Sequence, residues 1–155
     1  MSIVFYSCNH PLPLRGPDIS NALIELLAVT RWNKFDLLVI DMPPTISDTT
    51  LEIIRLVKEI KILLVTSSSQ LAFETVKKLI DFLKNLKIPI IGIIENMKMK
   101  PSSFIQQQIK DLGVAFWGEI FFDKELEESI GKLDKFLELY FTRRLNEIIL
   151  KNLNL

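Results

Sequence analysis

The stretch Trp32-Asn33-Lys34-Phe35-Asp36-Leu37-Leu38-Val39-Ile40-Asp41-Met42-Pro43-Pro44 decides how the rest of the chain is read. Four consecutive apolar residues, Leu37 to Ile40, end at a carboxylate and then at two prolines. An apolar run that does not alternate with polar residues predicts a strand buried on both faces, as in a parallel sheet. Asp41 then stands at the carboxyl end of that strand. A carboxylate there either holds Mg²⁺, directly or through water, or simply ends the strand and caps a loop.

Four similar runs lie on either side: Ile3 to Tyr6, Ile62 to Val65, Ile88 to Ile94 and Val114 to Trp117. Segments of helical spacing separate them. The first is Pro17 to about Trp32, with proline suited to a first turn. The second starts after Ser47-Asp48 and the third runs from about Gln70 to Leu86. A shorter one follows Pro101-Ser102-Ser103, where serine can cap it, and stops at Gly113. Two more, Lys124 to Ile130 and Asp134 to about Asn152, complete the chain. This alternation predicts one α/β domain over residues 1–155, three-layered and doubly wound, with a mainly parallel sheet of about five strands. Ligands of such folds bind beyond the carboxyl ends of the strands. That directs attention to Ser7-Cys8-Asn9, Asp41-Met42-Pro43-Pro44, Thr66-Ser67-Ser68-Ser69 and Glu95-Asn96-Met97.

Composition narrows the function. Among 155 residues, 19 are Lys or Arg and 19 Asp or Glu, so no basic excess points to nucleic acid. The five glycines, Gly16, Gly92, Gly113, Gly118 and Gly131, fit neither G-x-x-x-x-G-K-[ST] nor G-x-G-x-x-G. One cysteine, Cys8, and one histidine, His10, exclude an internal disulfide and a zinc or iron–sulfur site built by this chain alone. Residues 1–6 lack the basic region and long apolar core of a signal peptide, and no run is long enough to span a membrane. The expected location is the cytoplasm.

Several ordered motifs carry a resemblance. Trp-x-x-x-Asp leads into Asp41-x-Pro43-Pro44, and Asp48 follows; before it come Met1-Ser2-Ile3 and Arg15-Gly16-Pro17. After it come Val65-Thr66-Ser67, Gly92-Ile93-Ile94-Glu95-Asn96-Met97 and Trp117-Gly118-Glu119-Ile120. Together they resemble the Mrp/ApbC branch of the MinD/ParA-like P-loop ATPases, iron–sulfur carriers, from Met1 to about Asp123. The resemblance implies roles for particular residues. Asp41 matches the Walker B aspartate associated with Mg²⁺, Asp48 the switch-region aspartate, and Asn96 the asparagine that contacts adenine. An amide has the donor and acceptor that adenine requires, and it also serves local backbone groups in a loop.

The departures from that family are as informative. Its Walker A strand and glycine loop have no counterpart here, so the chain is expected to start at a later strand of the family fold. Thr45-Ile46-Ser47 stands where the switch reads G-T-G. Lys98-Met99-Lys100-Pro101-Ser102-Ser103 stands where a cluster-bridging C-x-x-C belongs. The expectation is a degenerate family domain acting by protein interaction, as a homo-oligomer or with a Walker A-bearing relative, with no iron–sulfur cluster and no ATPase activity alone. The alternative is the C-terminal half of a split ATPase, which takes ATP and Mg²⁺ once a partner supplies the phosphate loop. Cys8, His10 and Ser67-Ser68-Ser69 read as an inert thiol, a lone imidazole and a polar turn. Arg15, Lys98 and Lys100 are scattered charges able to attract phosphate. The apolar C-terminal face suits packing on the sheet or on a second subunit better than a membrane surface.

Overall fold

The computed structural model describes residues 16–153. They group into two compact units, one ending at Ile60 and the other beginning at Lys61. The first holds helices α1 (Pro17–Val29) and α2 (Asp48–Leu56). Pro17 opens α1 as expected. The indole N–H of Trp32 donates to the Leu27 carbonyl at 2.9 Å and closes its far end. Ser47 caps α2, its hydroxyl accepting from the Thr50 amide.

The expected strand Leu37–Ile40 does not form: these residues have no sheet structure, and Leu37, Leu38 and Val39 are exposed. A strand exists only where a neighbour takes up its backbone hydrogen bonds, and the described residues of this unit contain no other strand. The run Ile3–Tyr6 lies outside the described residues. Three strands are therefore seen where about five were expected.

The second unit is β1 (Ile62–Thr66), α3 (Gln70–Asn85), β2 (Ile90–Lys98), α4 (Phe104–Asp111), β3 (Phe116–Phe121), α5 (Leu126–Ser129), α6 (Leu133–Glu138) and α7 (Tyr140–Leu153). The sheet runs β1-β2-β3, parallel throughout. The two crossovers run in the same direction along the sheet, and the right-handed rule for such connections sets α3 and α4 on one face. On the other, Ile148 of α7 is buried with Ile94, Trp117 and Ile120, flanked by Phe141 and Leu145. Each such side chain contributes about 1.5–3 kcal/mol on burial. Gly113 ends α4 with φ +66°, as the pattern implied. The long C-terminal helix is broken at Leu139 (ψ 150°), and the shorter stretch before it reduces to the single turn α5. Asp123 accounts for the restart: one carboxylate oxygen accepts from the Glu125 amide at 3.0 Å and the other from the Phe141 amide at 3.2 Å.

Two glycines set the spacing of these layers. A Cβ on Gly92 would lie 2.1 Å from the Trp117 indole nitrogen, which donates to the Ile91 carbonyl at 2.7 Å. A Cβ on Gly118 would lie 2.9 Å from Ile148. Gly92→Ala must displace the whole indole, so about 1–3 kcal/mol of stability is lost. Urea unfolding checks this, with a lower midpoint at an unchanged slope.

Candidate functional site

The carboxyl ends of β1, β2 and β3 converge on a buried polar cluster. Glu95 of β2 lies in register with Glu119 of β3, so two like charges face one another on neighbouring strands, an arrangement that is destabilising by itself. One residue more on β2 than on β3 separates this pair from the next, Lys98 with Phe121. That bulge, with Met97 at φ +56°, turns Lys98 to the side on which Glu95 points. Glu95 and Lys98 are each 1% exposed.

The Lys98 ammonium donates to Glu95 Oε2 at 3.2 Å, to Glu119 Oε2 at 2.5 Å and to the Ser102 carbonyl. The Ser68 hydroxyl, from the loop after β1, donates to Glu95 Oε1 at 2.7 Å. The ends of β2 and β3 and the loop before α4 are thus tied together through one cation, and Ser68 joins the end of β1 to them through Glu95. Burial alone pulls the Lys98 pKa down. Hydrogen bonds to Glu119 and Glu95 and the field of both carboxylates outweigh it, and hold the pKa above the ordinary 10.5. Lys98 is consequently not a free charge for phosphate, as its sequence position suggested, but a neutralised internal one. Formally the cluster carries one excess negative charge, which repels phosphate rather than attracting it.

The expected site residues fall as follows. Asn96 follows Glu95 in the bulge, half-buried, and its Oδ1 accepts from the Met97 amide at 2.9 Å. Its amide group remains as a donor. Asp41 and Asp48 belong to the other unit; both are exposed, and neither makes an ion pair among the described residues. Asp48 is the first residue of α2 and lines an open cleft of about 380 Å³ with Glu52, Ser20 and Asn21. Thr45-Ile46-Ser47 is engaged locally: Thr50 donates its hydroxyl to the Thr45 carbonyl at 3.1 Å, and Ser47 caps the helix. Among the described residues no group of His, Cys, Asp or Glu is placed to hold a metal ion, and no helix is long and apolar enough to cross a membrane. Cys8 and His10 lie outside the described residues.

Sequence reasoning pointed to Glu95 and Ser68 as residues beyond strands but missed their engagement with Lys98 and Glu119. The available signal was the i, i+3 spacing of Glu95 and Lys98 at a strand end, where alternation alone would have put them on opposite faces.

Lys98→Met removes the only cation between two carboxylates, and breaking such a pair costs about 3–5 kcal/mol. The double variant Glu95→Gln/Lys98→Met should recover part of that loss in a denaturant-melt cycle. Because the folded pKa is raised, the stabilisation is fully present below pH 10.5 and is lost only as pH climbs through the higher folded value. The stability difference between wild type and Lys98→Met should therefore stay flat from pH 6 to 10.

Comparison with known proteins places these features. A family model described as ParA: NUBPL iron-transfer P-loop NTPase matches residues 1–152. An iron-sulfur cluster carrier protein of Methanocaldococcus jannaschii is 34% identical over 139 residues, covering 79% of this chain and 47% of the relative. One of Pseudomonas fragi is 38% identical over 98 residues, covering 63% and 34%. The chloroplastic Fe-S cluster assembly factor HCF101 of Arabidopsis thaliana is 37% identical over 84 residues, covering 54% and 16%. The chain spans less than half the length of these curated relatives.

Proposed function

The chain belongs to the ParA family of NUBPL iron-transfer P-loop NTPases, and we propose that its 155 residues act in iron–sulfur protein assembly as a degenerate member. In this reading it works by protein interaction, as a homo-oligomer or on a full-length relative, without ATPase activity of its own. One observation carries this: the five glycines provide no phosphate-cradling loop. The backbone amides and lysine of such a loop supply most of the affinity for the phosphates. Two further features agree with it. Thr45-Ile46-Ser47, in place of the switch glycines, is engaged in capping α2. Lys98 is spent on Glu95 and Glu119.

Iron–sulfur cluster carriage is what the relatives are named for. The residues here do not fit a cluster held by this chain alone. A cluster takes four thiolate or imidazole ligands, and the sequence has one cysteine and one histidine. No step through a cluster is assigned to it.

A second reading is favoured by the exposure of Asp41 and Asp48. With a Walker A-bearing partner, Asp41 would take the Mg²⁺ of bound ATP, Asp48 the switch position, and the free amide donor of Asn96 the adenine. Calorimetric titration of the chain with Mg·ATP should give no binding in the micromolar range. Micromolar binding, or turnover by the chain alone, would overturn the first reading. ATP turnover with a partner, lost in Asp41→Ala, would establish the second.

A further inference from the structure

Among the described residues, two segments with the composition of strands lack a neighbour on at least one side. Among the described residues β1 pairs only with β2, and Val65 is 56% exposed. Edge strands are normally protected by lysine, proline or inward charge, yet Ile62-Leu63-Leu64-Val65-Thr66 contains none of these. The second piece is Leu37-Leu38-Val39-Ile40, a strand by sequence with no ladder; its Val39 is 80% exposed.

Their sequences are complementary in parallel register. With Leu37 facing Ile62, the next pairs are Leu38 with Leu63, Val39 with Leu64 and Ile40 with Val65. At the amino-terminal flank Asp36 then meets Lys61, Phe35 meets Ile60, and Lys34 meets Glu59. Asp36 and Lys61 are exposed, and none of these four charged residues makes an ion pair among the described residues. A slip of one residue sets Asp36 against Ile60 or Ile62, burying a charge against an aliphatic side chain, so the charges select this register.

We propose that segment 37–40 of one copy adds as a fourth strand to the β1 edge of a second copy, with the exchange reciprocated. Each chain carries one donor segment and one acceptor edge, so two contacts related by a two-fold axis close the assembly and leave neither piece unpaired. Backbone hydrogen bonds supply the adhesion, and the Asp36–Lys61 pairs supply register and partner choice. This deepens the reading of the chain as an interaction module. Its test reads mass rather than nucleotide, so either can fail without the other.

The test is light scattering on the 155-residue chain at tens of micromolar, with Asp36→Lys and Lys61→Asp made separately. Wild type should be a dimer. Each variant alone sets like charges together in both contacts, and its dissociation constant should rise roughly tenfold or more. An equimolar mixture of the two variants should return to the wild-type dimer, because each altered residue then meets an opposite charge on the other chain. Val39→Lys should abolish the dimer, and no mixture should rescue it. A monomeric wild type would overturn the proposal. So would a mixture that associates no better than its components, since charges paired within one chain cannot be rescued in trans. Circular dichroism on every variant confirms that the fold is retained.

Discussion

A lysine ammonium set between two in-register glutamates holds the functional end of this sheet together. Glu95 and Glu119 would repel across neighbouring strands, and the buried Glu95 carboxylate would be costly without a cation beside it. Lys98 resolves the conflict only because a bulge turns it inward. The same cation fixes the Ser102 carbonyl and hence the approach to α4, while Ser68 brings in the loop that leads to α3. The polar groups of the carboxyl edge are in this way paired with one another, with a formal excess of one negative charge left on the cluster.

That arrangement bears on how phosphate could be held here. In P-loop proteins phosphate is held by backbone amides and a lysine at a glycine loop. These residues offer no such loop, and the lysine at the strand end is committed to carboxylates. In the stretch that matches the switch by resemblance, Ser47 caps α2 with its hydroxyl and the Thr45 carbonyl accepts from Thr50. The exposed run at 37–40 and, among the described residues, the unpaired edge of β1 are the apolar surfaces on which the proposed strand exchange rests.

Much of the second unit was legible in the sequence. Unalternated runs marked β1, β2 and β3; Ser103 and Gly113 marked the ends of α4; and the parallel order followed from the alternation of strands and helices. The failures have physical causes. Leu37–Ile40 has the composition of a strand, but composition cannot provide the neighbour a strand needs. The break at Leu139 was hidden because it depends on Asp123, eighteen residues from Phe141, capping the new helix from the end of β3. Lys98 looked like surface charge because its burial follows from a one-residue bulge, and period-two reasoning places it on the wrong face. Asp41, Asp48 and Asn96 were found by resemblance, yet only Asn96 belongs to the unit that carries the sheet.

The most direct measurement is the ¹⁵N–¹H signal of the Lys98 ammonium, followed across pH and then with Mg·ATP. Held between Glu95 and Glu119, this group should exchange slowly, remain protonated beyond pH 10.5 and keep its chemical shift when nucleotide is added. An ammonium that exchanges as fast as surface lysines, titrates below that value, or moves on addition of Mg·ATP would contradict a carboxyl edge closed by its own side chains.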